Sequence, residues 1–293
     1  MAEVLVVGAL HLDVIVRAAR LPGRDETLMG EAVRYAFGGK GGNQAVAAAR
    51  LGAGVAMAGR VGDDGFAATI LTALDAAGID RRQVRAGSGA SGMSVAILDS
   101  KGDYGAVVVS GVNREIAPDE IEIAPGTRVL LLQNEIPTAV NLALAARLAD
   151  PARLILNAAP AREVPGALLA RTDCLVVNRV EAAMMTGMAP DALDPGTAAR
   201  ALRDLGPEAV IVTLGGEGLA GHDAGGAFRA PAFDVPVIST HGAGDAFTGA
   251  LAARLAAGDA PRAAARFAQG AAALHVSGHE VTKDAALRLV SGP

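Results

Sequence analysis

The sequence predicts an α/β protein in which a mainly parallel sheet is covered by helices on both faces. Three observations carry that expectation. Of the 293 residues 51% are hydrophobic, yet there is no Trp and there are only two Tyr and six Phe, so Ala, Leu, Val and Ile must build the core. Strand-length apolar runs alternate with helical segments from about residue 129 onward. Those runs are apolar at nearly every position, as strands buried on both faces require.

Val4–Val7 is the first such run, ended by Gly8. Residues 12–16 and 33–37 are short apolar segments joined by a Pro-Gly turn at 22–23, which reads as exposed strands and loops. An Ala-rich helix is expected over 43–51, closed by Gly52, then a strand over 55–58. Asp63 and Asp64 open a helix that runs to about Ala77 and stops at Gly78. Residues 94–98 and 106–109 flank the turn-rich stretch 99–104, a hairpin signal. Two strand-rich inserts, at about 11–37 and 88–111, thus predict one small sheet made from separate excursions. Strands follow at 129–132, 154–156, 175–177 and 210–213. Helices are expected at 138–148, 165–170, 179–185, 196–205, 244–256, Pro261–Val276 and 283–290, with a glycine-rich turn region over 215–223. No repeat or linker divides residues 1–293, so one domain carrying the small sheet is expected.

Composition excludes several function classes. The net charge of −5 and the absence of a Lys/Arg run argue against a nucleic-acid face. A lone cysteine, Cys174, excludes an internal disulfide, and its apolar neighbours make it a core thiol. The first eight residues lack the length and basic start of a signal peptide, and no uncharged apolar run approaches 18 residues. A soluble, cytoplasmic protein is expected. His222, His275 and His279 have no metal-ligand spacing.

Two glycine-rich stretches carry chemistry. Gly38, Gly39, Lys40, Gly41, Gly42 and Asn43 stand directly before a helix, where bare backbone can approach a ligand closely and Asn43 can cap or bind a hydroxyl. The spacing is not that of a Walker A loop, and Gly8 opens no Rossmann fingerprint. Gly242, Ala243, Gly244 and Asp245 bring small residues to a second helix start, whose free N–H groups and dipole favour an anion. Asp245 is then either the helix cap or a functional carboxylate.

Residues 38–52 resemble the N-terminal signature of the ribokinase-like carbohydrate kinases (the phosphofructokinase-B family), most closely the ribokinases, and residues 242–250 resemble the C-terminal signature. The resemblance runs from residue 4 to about 276. It implies a three-layer α/β/α domain with a mainly parallel central sheet and a small β lid formed by the two inserts. It implies an ATP- and Mg²⁺-dependent kinase that phosphorylates a primary hydroxyl of a sugar, with ribose O5 as the default acceptor. Asp245 would be the general base, and Gly242, Ala243 and Gly244 the anion hole. His11, Asp13, Gly39, Lys40, Gly41, Gly42, Asn43 and Glu135 would surround the sugar. Asn178, Glu181, Thr213, Leu214, Gly215, Gly216, Glu217, Gly218, Gly244 and Gln269 would serve the nucleotide, with Glu181 reaching Mg²⁺ through water. Taken without the family, Asn178 and Glu181 also form an ordinary capping box. Lid pairing would make a homodimer, for which an exposed sheet edge supplies a physical motive.

Two departures stand out. The family's Asp-Thr-Thr before the anion hole, whose Asp helps bind an activating potassium ion, is Ser239-Thr240-His241 here, and Ser277-Gly-His-Glu280 replaces a loop of the same site. Weak or absent monovalent-cation support is therefore expected. His11 replaces a sugar-contacting Asn, which fits either a harmless exchange or a different pentose or polyol. A nucleoside or other carbohydrate kinase of the same superfamily and a non-catalytic sugar-binding protein are the alternatives. A nicotinamide-dependent oxidoreductase lacks its glycine fingerprint.

Overall fold

The computed structural model describes residues 2–99 and 104–292. The chain runs β1 (Val4–Val7), β2 (His11–Arg17), β3 (Ala32–Gly38), α1 (Lys40–Arg50), β4 (Val55–Val61), α2 (Gly65–Ala76), β5 (Asp80–Ala86), β6 (Gly92–Leu98) and β7 (Tyr104–Val109). It continues through β8 (Val129–Gln133), α3 (Thr138–Arg147), β9 (Arg153–Asn157), α4 (Gly166–Leu169), β10 (Cys174–Asn178), α5 (Arg179–Thr186), α6 (Pro195–Arg203) and β11 (Ala209–Thr213). The last elements are β12 (Leu219–Asp223), β13 (Gly226–Ala230), α7 (Ala243–Ala256), α8 (Pro261–Val276) and α9 (Lys283–Ser291). The tip of the hairpin expected over 99–104 lies outside the described residues, apart from its ends.

Nine strands form the main sheet in the order β13-β12-β11-β10-β9-β8-β1-β4-β5, parallel from β11 through β5. Alternate side chains of each central strand enter opposite layers. Val4, Val6, Leu131, Ile155, Val176 and Ile211 pack with residues of α1, α2, α7 and α8. Leu5, Val7, Leu130, Leu132, Leu156 and Val212 pack with α3, α4, α5 and α6. Both faces are thereby buried, which is why the strand sequences read as unbroken apolar runs. This is the expected three-layer arrangement.

The second sheet has four strands, β3-β2-β6-β7, drawn from the two inserts. One surface exposes Val33, Tyr35, Val95 and Val107. The chain passes between the sheets at Leu10, whose amide and carbonyl are both gripped by the buried Asn113 side chain, at 3.0 and 2.9 Å.

Four elements, β5, β12, β13 and α1, differ from the sequence expectations. β5 was not anticipated, because Asp80, Arg81, Arg82 and Arg85 hide its pattern; charges of this kind suit an edge strand. The glycine-rich stretch 215–223 contains β12, which pairs antiparallel with β11 and β13. Gly221 is small there because the Phe228 ring fills the place of a side chain. Helix α1 starts at Lys40 rather than 43, so Gly41 and Gly42 lie inside it. A Cβ on Gly41 would sit 2.7 Å from the Gly8 backbone, and one on Gly42 would sit 2.5 Å from the Phe37 ring. Close packing, not propensity, selects glycine at both positions.

The contact at Gly41 is with main chain, which cannot swing aside. Gly41→Ala is therefore expected to destabilise the protein by about 2 kcal/mol. A shift of the urea midpoint without a change in slope is the check, and an unchanged midpoint would contradict the packing argument.

Candidate active site

All the parallel strands end on one side of the main sheet, and the residues just beyond those ends form a cleft of about 350 Å³. Lys40, Asn157, Asn178, Glu181, Thr213, Gly244, Asp245 and Thr248 line it. Open parallel sheets bind ligands beyond the carboxyl ends of their strands.

Two helix starts meet there. Gly39 precedes α1 at φ 86°, with Ala9 carbonyl oxygen 2.5 Å from its absent Cβ. Gly242 precedes α7 at φ 74°, and no side chain caps that helix. The helices cross at Gly249, where a Cβ would lie 2.4 Å from the Gln44 carbonyl oxygen. Asp245 sits one turn before Gly249 on the same face and so meets α1. Asn43 Nδ2 donates to Asp245 Oδ2 at 3.2 Å, and Gln44 Nε2 donates to Oδ1 at 2.9 Å. Asp245 is thus a buried carboxylate held by the other helix, not the cap of its own. Of the three residues assigned to the anion hole, Gly244 is exposed to the cleft, whereas the Ala243 amide donates to Thr240 at 3.2 Å.

Charges crowd around Lys40. Its amide donates to Glu135 Oε2 at 2.7 Å. Burial acts to lower the pKa of its ammonium, but Asp245, Glu135 and Glu181 outweigh that and raise it. Burial pushes Glu135 up to about 7, against the Lys40 amide and charge, and Asp245 and Asp13 add to the rise. Burial likewise raises Glu181. His11, 3% exposed, is held below the usual imidazole range by burial, with Asp13 opposing and Lys40 adding to the shift. Its Nε2 has no partner. Asp13 accepts from Ser94 Oγ at 2.7 Å and occupies the space that a side chain on Gly38 would need. The structure thus brings His11, Asp13, Glu135, Asn43 and Asp245 around the Lys40 loop.

On the other side of the cleft, Asn178 and Glu181 do form a capping box. Asn178 Oδ1 accepts from the Glu181 amide at 2.9 Å, and Glu181 accepts from the Asn178 amide at 2.7 Å. Both residues also line the cleft, so the structural and functional readings coexist. In the loop after β11, Gly215 (φ 58°) and Gly218 (φ 94°) make the turn, and Glu217 pairs with Arg179 at 2.8 Å. Gly216 lies in the single 3-10 turn between those glycines, and Leu214 packs against the second hydrophobic cluster. Gln269 does not line the cleft. Its amide donates to the Ala230 carbonyl at 3.2 Å and accepts from Arg266 at 3.1 Å, tying α8 to the end of β13.

Gln44, Ser94, Asn157 and Thr248 were not singled out from sequence. Gln44 follows Asn43 in the first motif, but only the helix crossing reveals its contact with Asp245. Asn157 and Thr248 carry no motif of their own.

The raised Glu135 predicts a pH effect on stability. Between its ordinary value near 4.5 and its native value near 7, the native state binds a proton that the unfolded state has released. Stability therefore falls as pH rises through that window and levels off above it. Glu135→Gln should abolish this component, gaining on the order of 2 kcal/mol relative to wild type from pH 4.5 to pH 8. Urea unfolding of both proteins at the two pH values checks it; a constant difference would refute it.

Comparison with known proteins agrees with this geometry. The model of the pfkB family carbohydrate kinases matches residues 1–286. A ribokinase of Bacillus subtilis is 34% identical over 281 residues, covering 94% of this chain and 93% of the relative. A deoxyribokinase of Salmonella typhi is 33% identical over 258 residues, covering 85% and 84%. The structure of Arabidopsis thaliana ribokinase with ribose and ATP superposes over 100% of both chains at 29% identity, with a TM-score of 0.90. The protein has the ribokinase fold and is a phosphotransferase acting on a sugar hydroxyl. The chain belongs to the pfkB family of carbohydrate kinases.

Proposed function

We propose that this protein transfers the γ-phosphate of ATP to a primary hydroxyl of a sugar, with ribose O5 as the default acceptor and Asp245 as general base. The observation that carries this reading is the Asp245 carboxylate, gripped by Asn43 and Gln44 beside an uncapped helix start. Asp245 accepts the proton of the attacking hydroxyl as its oxygen bonds to the γ-phosphorus, and ADP departs with the bridging electron pair. The amides of Gly242 and Gly244 supply backbone positive charge to the transferring group, Ala243 being engaged by Thr240 and serving as the link between them, and Lys40 adds a full charge.

His11, Asp13, Asn43, Glu135 and the backbone of Gly39, Gly41 and Gly42 form the sugar side. Thr213, Leu214, Gly215, Gly216, Glu217 and Gly218 form the nucleotide side. Gln269 contributes there by holding the end of β13. Among the described residues no group of three or more His, Cys, Asp or Glu could hold a metal. That suits Mg²⁺, which keeps several waters and binds through one or two carboxylates and the phosphates. Glu181, with Asn178, would hold it through water, and its charge would offset that of the phosphates. The four-stranded sheet acts as the lid that excludes competing water. Its exposed Val33, Tyr35, Val95 and Val107, on one face, suit pairing with a second copy.

His11 favours a second acceptor. A buried ring nitrogen without a partner beside Asp13 supports a pentose with a different hydroxyl pattern, and one relative is a deoxyribokinase. Release of ADP should be assayed with ribose, 2-deoxyribose, hexoses, sugar phosphates and nucleosides. Turnover with a free pentose is expected, and silence across the panel would transfer the reading to a binding protein. Asp245→Asn should lower kcat by about 10³-fold or more; full turnover would remove the base assignment.

We also propose that the enzyme works without potassium. Ser239 and His241 supply no carboxylate, and the His241 carbonyl oxygen accepts from His275 Nε2 at 2.8 Å. The carbonyl fixes Nε2 as the protonated nitrogen. The ring thus supplies a donor where a cation would otherwise be needed. Rates should stay within about twofold as KCl replaces a larger monovalent salt at constant ionic strength; a tenfold rise would contradict the proposal.

A further inference from the structure

We propose that Gln44 is a positioning residue that fixes the orientation of the Asp245 carboxylate, and that it takes its own orientation from the sheet backbone through Asn157. The inference rests on Asp245 acting as the base.

The chain of constraints starts at a main-chain acceptor. Asn157 Nδ2 donates to the Val176 carbonyl at 3.2 Å. That bond settles which end of the Asn157 amide is nitrogen and turns Oδ1 toward Gln44. Gln44 Nε2 stands 3.0 Å from Asn157 Oδ1 and 2.9 Å from Asp245 Oδ1. Both partners are acceptors, so only the NH₂ end of Gln44 satisfies them. A flipped amide would set its oxygen against two others. Gln44 is fully buried.

The arrangement carries a cost. Among the described residues Gln44 Oε1 has no hydrogen-bond partner although it is buried, a penalty that a merely structural amide would ordinarily avoid. Both donor hydrogens are kept on their acceptors at the expense of the oxygen. Asn43 Nδ2 holds the second oxygen of Asp245 at 3.2 Å. One neutral donor on each oxygen fixes the plane of the carboxylate while leaving each oxygen capacity for a hydroxyl proton. The charged groups that act alongside are Lys40 on α1, Glu135 after β8 and Glu181 on α5. None of these gives Asp245 a directional bond, so direction comes from the two amides.

Gln44→Met preserves the shape and removes the donors. Its kcat should fall about 10- to 100-fold while KM for the sugar and for ATP change by less than about threefold. Gln44→Glu places a carboxylate against Asp245 and should shift the acid limb of the kcat–pH profile upward. Asn157→Ala releases the Gln44 amide and should lower kcat about 3- to 10-fold; combined with Gln44→Met it should add nothing further. It also provides a second route should Gln44→Met fail to fold. A Gln44→Met or Asn157→Ala protein with wild-type kcat, or a loss confined to KM, overturns the proposal. Asp245→Asn serves as reference. If it is inactive while Gln44→Met keeps wild-type kcat, only the positioning role falls; if it is fully active, the base assignment falls instead.

Discussion

The close crossing of α1 and α7 is the contact on which the site depends. At Gly249 the two backbones approach until a methyl group would clash with the Gln44 carbonyl, the Ala47 side chain and the Ala48 amide. Ordinary helix pairs stay about 8–10 Å apart because side chains separate them. Here Gly and Ala let the helices sink together, so the short side chains of Asn43 and Asp245 can meet. Glycine inside a helix costs roughly 1 kcal/mol relative to alanine, and burial of nearly the whole of α7 offsets it. The two glycine-rich motifs are therefore one structure. The first gives α1 its close seat on Gly8, and the second gives α7 its close seat on α1.

That seat concentrates charge of one sign. Asp13, Glu135, Glu181 and Asp245 gather near a single lysine, in a site proposed to receive a polyanion. Burial makes this tolerable by raising Glu135 and Glu181, so that Glu135 is part-protonated at neutral pH. The start of α7 and Lys40 line the same cleft as Glu181 and Asp245. β2 and the turn after β8 deliver Asp13 and Glu135, and the starts of α5 and α7 deliver Glu181 and Asp245.

Much of the fold was legible because burial on both faces leaves a plain mark on a strand. Val4–Val7 and Pro261–Val276 fall where the apolar pattern puts them. Strands at the sheet margins were not legible. β5 carries charges on an edge, and β12 shows a glycine where the partner's Phe228 fills the space, so neither writes its own pattern. The start of α1 was misjudged for the same reason that the site works. Gly41 and Gly42 read as loop by propensity, yet their backbone is helical, and glycine stands there because neighbours forbid a Cβ. At the site, residues inside glycine motifs were visible, whereas Gln44 and Asn157 become meaningful only through partners more than a hundred positions away.

Three helix starts show how to separate structural from functional carboxylates. At α5 the Asn178–Glu181 pair follows the local rule, satisfying the first-turn amides within four residues. At α2 Asp64 does the same for Phe66 and Ala67. At α7 the rule is broken. A suitable acid stands in the first turn, yet the helix has no side-chain cap and the acid is turned across to α1. Declining a cap forgoes about 1 kcal/mol, and the unpartnered Gln44 oxygen adds a second penalty at the same place. Local departures of this kind persist when something outside the local structure uses the group. A helix start left open beside a carboxylate held from elsewhere is prepared for an anion and a proton at once, which is the pair of demands that phosphoryl transfer to a hydroxyl makes.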